Sequence, residues 1–353
     1  MLDLSALFFG YGFYFFAFIS AFVVVVVSVP IVRTLAIRCS HVDLPDDRKV
    51  HQVPMVRLGG IGIFLGTLAA AICLWRLGGF SYLLPMAQRE IAMILLGGSG
   101  YFLLGFCDDL KGLSPKFRLV CQLAIAALVW QNGIRIDFFN VPGIGLVHLG
   151  LLSLPITLLW IAGMVNAINW IDGLDGLASG VSAIAALITV GICLFIGEPS
   201  VALLAMCLVG SLCGFLVYNF NPACIFMGDG GSYFIGFMLA VISVTGLVKG
   251  ATAVTIPLIV LAVPIFDMTL VIISRLLRRK SPFIADKSHL HHRLLKIGFS
   301  HRGAVLFIYA LSLWIGSWAF TLAPIPNGIL AMVISTPILG IASWRAWRVA
   351  QVS

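Results

Sequence analysis

Four polar residues stand at every third position of NAINWIDGLDGLASG, residues 166–180: Asn166, Asn169, Asp172 and Asp175. They follow directly on the apolar run LLSLPITLLWIAGMV. Amides and carboxylates are hard oxygen donors of the kind Mg²⁺ prefers. Backbone N–H groups where a turn opens into a helix can also hold phosphate oxygens. A step of three residues turns about −60° on a 3.6-residue helix, so Asn166 and Asp175 would face opposite sides of an unbroken one. Gly173 and Gly176 therefore predict a helix end near residue 172. The amides would finish one helix, and the carboxylates would occupy the turn and the opening of the next. Helix capping by Asp175 would explain one of the four residues and leave three.

Other stretches carry similar chemistry. GFCDDLKG, 105–112, sets Asp108 beside Asp109. Adjacent carboxylates repel unless a cation or proton lies between them. The pair suits a divalent-cation or acid–base site; its plain alternative is a solvated helix end with Lys111 and Lys116 as counter-charges. YNFNPACIFMGDGGSYFIG, 218–236, places Asp229 between glycines as a candidate metal ligand, with Gly230 and Gly231 open to close approach by a ligand. Asp229 and Ser232 as ordinary N-caps is the alternative. KSHLHHRL, 287–294, gathers His289, His291 and His292 beside Lys287 and Arg293. The cationic neighbours favour contact with an anion or sugar over a zinc site. RKVHQVPMVRLGG, 48–60, is a basic loop containing Lys49 and His51; anchoring at the membrane surface would explain its charges equally. Asp267, three residues after Pro264, is an intramembrane acid and so a functional candidate. A structural role is the favoured reading for it, pairing with an amide or arginine to lock a proline-broken helix. No GxxxxGK[ST] or GxGxxG motif marks a soluble nucleotide-binding fold.

The elements that must position these residues are membrane helices. The 353 residues are 61% hydrophobic and 10% charged, against about 25% charged in soluble domains. Apolar stretches long enough to cross ~30 Å of hydrocarbon recur throughout. The expected spans are 11–32, 58–75, 90–107, 117–134, 151–170, 177–196, 200–218, 230–249, 251–276, 304–322 and 328–344: an all-α polytopic bundle of about eleven helices, one membrane-embedded domain over 1–353. The first run is too long for a signal-peptide core and is expected to stay as a span. With the N-terminus outside, eighteen Lys and Arg fall in inside loops and four outside. That bias makes the motif-bearing face cytoplasmic and puts the C-terminus there too. A net charge of +8 distributed in this way does not indicate nucleic acid. The eight cysteines form no CxxC pair and read as small buried hydrophobes. A transporter would more often place its polar site near mid-membrane, whereas these motifs sit at one face.

Taken in order, KVHQVPMVRLGG, FCDDLKG, NAINWIDGLDGLASG, YNFNPACIFMGDGGS and SHLHHRL resemble the polyprenyl-phosphate N-acetylhexosamine-1-phosphate transferases. The interrupted histidines of HLHHRL are similar to the WecA/TagO branch, which uses UDP-GlcNAc, and unlike the three consecutive histidines of MraY-type enzymes, which transfer phospho-MurNAc-pentapeptide. The resemblance implies attack by a polyprenyl phosphate, with undecaprenyl as the expected length, on the β-phosphorus of a UDP-N-acetylhexosamine in the cell inner membrane. UMP leaves, Mg²⁺ is required and Mn²⁺ can replace it. It further implies that Asp229 is the Mg²⁺ ligand, with Asn169 sharing that role, and that Asp108 with Asp109 beside it activates the lipid phosphate. Asp172, Asp175 and Asn219, with Asn166, Lys49 and His51, fall to substrate binding. His289, His291, His292 and Arg293 hold the sugar and pyrophosphate. Homodimers occur in such families. A CDP-alcohol phosphotransferase is disfavoured, because DGLAS lacks the arginine that signature places after its alanine.

Overall fold

The computed structural model describes residues 4–39, 55–80, 88–141, 145–247, 255–279, 289–323 and 325–352. Its helices, in chain order, are α1 Leu4–Arg38, α2 Gly60–Arg76, α3 Gln88–Lys111, α4 Pro115–Gln131, α5 Ser153–Ile171, α6 Leu177–Ile196, α7 Pro199–Asn219 and α8 Gly228–Ile242. They continue with α9 Thr255–Val260, α10 Ala262–Leu277, α11 Leu290–Lys296, α12 His301–Leu322 and α13 Ile329–Val352. Within the described residues, each expected span coincides largely with helix. Among the described residues, eight helical segments are long and apolar enough to cross a membrane, and α2 is a shorter apolar helix.

Two details differ from the sequence expectation. Of the expected span 251–276, the described residues from 255 on form two helices, α9 and α10, parted at Leu261 (φ −104°, ψ 17°). Pro264 explains the break: it has no N–H to bond the Val260 carbonyl, the last of α9. The region between α4 and α5 folds into a small antiparallel hairpin of β1 Phe138–Val141 and β2 Gly145–His148. Beside it, Trp130 Nε1 donates to Ser153 Oγ (3.0 Å), and that hydroxyl donates to Asp137 (3.0 Å).

Helix α8 is the hub of the bundle, packing against α2, α3 and α5. Lipid tails are as apolar as leucine, so membrane helices gain from close packing through small residues more than from exclusion of water. The contacts of α8 show this. A Cβ at Gly60 would collide with the Gly231 backbone, and one at Gly105 with the Asp229 carbonyl. The glycines of MGDGGS therefore admit neighbouring helices; a Cβ at Gly230 would come within 3.2 Å of the Phe106 backbone N. Farther along, Phe64 stacks on Phe102 (4.2 Å between centroids) and meets Phe234 edge-on (5.4 Å). The outer helix α1 shows Phe15, Val27 and Ile31 to the surroundings, as a lipid-facing helix should.

Candidate active site

One end of the bundle collects the last turns of α3, α5 and α7 and the first turns of α6, α8 and α12. The DD pair divides its work there. Asp109 accepts from the backbone N–H groups of Asp229 (2.8 Å) and Gly230 (2.9 Å). A carboxylate from α3 thus caps the start of α8, satisfying donors that a helix cannot pair internally. Gly228, at φ 75°, makes the turn that allows this. Asp108 is only 6% exposed, so the solvated helix end is excluded. It accepts from Leu113 N (2.7 Å), Arg118 Nη1 (2.6 Å) and Tyr233 OH (3.2 Å).

The same guanidinium lies 3.7 Å from Asp229, so Arg118 bridges two carboxylates from different helices. It reaches them because α3 ends at Gly112 (φ 64°) and α4 begins at once with Ser114 as N-cap and Pro115 in its first turn. Residue 118 is then one turn into the returning helix. Asp229 does not cap its own helix. Its Oδ1 accepts from Asn169 Nδ2 (2.7 Å), which also donates to Ser232 Oγ (3.0 Å).

The break in NAINWIDGLDG falls where the spacing predicts. Helix α5 stops at Ile171 with Asp172 as C-cap, and Gly176, at φ 79°, precedes α6. Both carboxylates lie in the turn. Asp175 Oδ2 accepts from Asn221 Nδ2 (2.9 Å) and Ala223 N (3.0 Å). Asn219, 3% exposed, accepts from Gly176 N (3.1 Å) and Ser179 Oγ (2.9 Å) and donates to the Ile225 carbonyl (3.0 Å). Asp175 and Asn219 therefore clamp the turn to the loop after α7. Asn166 faces α4, donating to Gln122 Oε1 (2.8 Å) and the Ala162 carbonyl (2.7 Å). Burial pushes the Asp172 carboxyl up to about 7; Arg57 opposes this, and Asp229 and Asp175 add to it.

The histidines arrive on α11. His289 meets Trp170 edge-on (5.8 Å) and stacks on His291 (5.7 Å, 10°), which lies 4.3 Å from His292. Burial, His292 and His289 lower the His291 pKa to about 3, so this ring is neutral at pH 7 and offers one N–H rather than a charge. A Cβ at Gly173 would collide with the His291 ring. Gly173 is thus the contact between the DGLDG turn and the histidine segment. Gly173→Ala carries no backbone strain, since Gly173 is absent from the positive-φ glycines. It should displace the ring and lower turnover about 10-fold or more, as misplaced site groups do, with the melting temperature little changed. Wild-type turnover in the purified variant would show that the contact is dispensable.

Asp267 turns out to hold this segment. Its partners are His289 and a backbone N–H rather than the side-chain amide or arginine expected. Sequence reasoning gave Arg118 and Arg57 no part in the site and singled out neither Trp170 nor Tyr233. The Gly-Leu-Ser-Pro restart after DDLK is the signal that could have found Arg118. Lys49 and His51 lie outside the described residues.

The donors suit a hard cation. Asp229, Asp108 and Asp172 offer carboxylate oxygens, Asn169 an amide, and the positive charge among them comes from Arg118 and Arg57. Among the described residues no three His, Cys, Asp or Glu side chains form a chelating group. A metal here would share its sphere with substrate oxygens, as Mg²⁺ commonly does with phosphates.

The description "Glycosyl transferase family 4" matches residues 91–247, from α3 through the π-turn after α8. A "probable undecaprenyl-phosphate N-acetylglucosaminyl 1-phosphate transferase" of Bacillus subtilis is 41% identical over 298 residues, 84% of this chain and 81% of that protein. The chain belongs to glycosyl transferase family 4. Two further relatives extend the likeness. A decaprenyl-phosphate N-acetylglucosaminephosphotransferase of Mycobacterium leprae is 35% identical, over 86% of this chain and 81% of its own. An undecaprenyl-phosphate alpha-N-acetylglucosaminyl 1-phosphate transferase of Salmonella typhi is 28% identical, over 94% and 92%. The family match takes in Asp108, Asn169 and Asp229 but ends before Asp267 and the histidines; the matches to these three proteins cover more of the chain.

Proposed function

We propose that the protein transfers N-acetylglucosamine 1-phosphate from UDP-GlcNAc to a polyprenyl phosphate, undecaprenyl phosphate by the names of its relatives. A lipid phosphate oxygen bonds to the β-phosphorus, and the bond from that phosphorus to the α–β bridging oxygen breaks. UMP leaves with the electron pair, and the membrane keeps polyprenyl-pyrophosphoryl-GlcNAc, the first lipid-linked unit of an envelope polysaccharide. The observation that carries this reading is the meeting of Asp229, Asn169, Arg118 and Asp108 at one end of membrane helices. There a lipid-borne phosphate and a water-soluble diphosphate can reach each other. The basic bias of the same ends supports a cytoplasmic site with the N-terminus outside, in a bundle of the inner membrane.

Phosphoryl transfer depends on charge neutralisation and in-line placement more than on covalent chemistry. Mg²⁺, or Mn²⁺ in its place, would be held by Asp229 with Asn169 and would supply charge neutralisation and Lewis acidity at the diphosphate. Arg118 fixes Asp108 and Asp229 relative to each other. Asp108 already accepts three hydrogen bonds, which suits orientation of the acceptor rather than proton removal. A phosphate monoester, with a second pKa of ~6, is largely dianionic at neutral pH in any case. Asp109, Asp175 and Asn219 hold the backbone of the site in place. Asp172 faces the donor side, and the ring wall of Trp170, His289 and His291 with Arg293 flanks the sugar and pyrophosphate.

The interrupted HLHHRL supports UDP-GlcNAc over a pentapeptide donor. Purified protein with polyprenyl phosphate and radiolabelled UDP-GlcNAc, UDP-GalNAc or UDP-MurNAc-pentapeptide tests this choice. Label should enter lipid from UDP-GlcNAc; labelling only from the pentapeptide donor would overturn it.

A further inference from the structure

Asp267 stands in α10, outside the polar ends that form the site, yet it is only 7% exposed and both its oxygens are engaged. Oδ2 lies 2.9 Å from His289 Nδ1, and Oδ1 accepts from Leu290 N at 2.7 Å. Leu290 is the first residue of α11, and no side chain of α11 itself caps that helix. One carboxylate therefore caps α11 from another helix and grips the ring beside its first turn. Asp109 likewise caps α8 from another helix. The ring so held packs on Trp170, whose neighbour Asn169 bonds Asp229, and stacks on His291, which abuts Gly173.

We infer that Asp267 is a positioning residue for donor binding, acting through His289. It sets where α11 begins and fixes the His289 tautomer, because a carboxylate facing Nδ1 requires the proton there. Nε2 is then left as the ring's polar atom for the donor. Backing of this kind typically changes affinity or activity 10–100-fold when it is removed from a ligand histidine, and the same logic of orientation applies here. This inference rests on the histidine segment contacting the UDP-sugar, as proposed above.

Asp267→Asn separates the two functions of the carboxylate. The amide oxygen can still accept from Leu290 N. The NH₂ then faces Nδ1, so the ring proton must move to Nε2. Nitrogen-15 spectra of histidine-labelled protein, with His289 assigned through His289→Ala, should show that tautomer change at an unaltered melting temperature. The KM for UDP-GlcNAc should rise about 10-fold, with the KM for polyprenyl phosphate within about 2-fold of wild type. In a His289→Ala background, Asp267→Asn should add less than 2-fold, because the partner is already gone. Asp267→Glu, which keeps the carboxylate, should recover part of the donor affinity. An unchanged His289 tautomer in Asp267→Asn would overturn the link between the two residues. Equal effects of Asp267→Asn with and without His289 would overturn it too. A changed tautomer with unchanged UDP-GlcNAc KM would instead remove the donor contact of the histidine segment, and with it the positioning role, while leaving the phosphosugar transfer itself standing.

Discussion

Asp229→Asn should abolish most Mg²⁺-dependent turnover, by roughly 10²–10³-fold, the scale seen when one electrostatic group is removed from a transition-state site. The substitution is nearly isosteric, and its amide oxygen can still accept from Asn169 Nδ2, which now lies 2.7 Å from the carboxylate. The cap on α8 is supplied by Asp109 through backbone groups of 229 and 230, so it stays intact. What disappears is one negative charge that the proposed cation and diphosphate would face. The melting temperature in detergent should therefore hold while kcat falls at saturating Mg²⁺. Near-normal turnover would rule Asp229 out as an essential ligand.

Arg118→Ala should be almost as damaging, with kcat/KM down by about 10², for a reason the geometry makes specific. One guanidinium reaches Asp108 at 2.6 Å and Asp229 at 3.7 Å. Without it, two carboxylates face each other with no fixed cation between them, and both lose their alignment. Lysine is a point charge on a flexible stem and cannot span both partners as the planar fork does. Arg118→Lys should therefore recover only a part of the activity. Guanidinium added at tens of millimolar (an order of magnitude set by weak single-contact binding) should raise the turnover of Arg118→Ala, where an ammonium salt at equal ionic strength does not. Loss without rescue, accompanied by a lowered melting temperature, would instead make Arg118 a residue of folding.

The helices were legible because an apolar run of about 20 residues has few alternatives in a bilayer. The break in DGLDG was legible for a local reason as well: period-three spacing cannot continue on a 3.6-residue helix, and Gly176 supplies the left-handed turn. The motifs also showed which ends of which helices carry polar chemistry. They did not show which side chains would work on the backbone and which would face a ligand. Asp109, Asp175 and Asn219 have the same composition signature as Asp108, Asp172 and Asn169. The difference lies in contacts across long stretches of sequence, such as Asp109 to Asp229 N or Asn221 to Asp175. Spacing cannot report such pairs, because they depend on which helices pack, and that is decided by Gly60, Gly105 and Gly231. Arg118 and Asp267 were obscured for the opposite reason. Each has an ordinary explanation in a membrane protein, a cytoplasmic surface charge and a helix lock, and only the distances to Asp108 and His289 displace it. The α9–α10 break follows from Pro264, which the reading of Asp267 already took as a helix breaker, although 251–276 counted as one span.

The central claim is that the phosphorus travels with the sugar. The most direct measurement uses UDP-GlcNAc labelled with ³²P at the β-phosphorus and ¹⁴C in the sugar, incubated with purified protein, Mg²⁺ and polyprenyl phosphate. Both labels should enter the lipid fraction in equal amounts, with unlabelled UMP released in step. If ¹⁴C reached the lipid while ³²P stayed in released UDP, the protein would be transferring the sugar alone, and the meeting of Asp229, Asn169 and Arg118 would need another explanation.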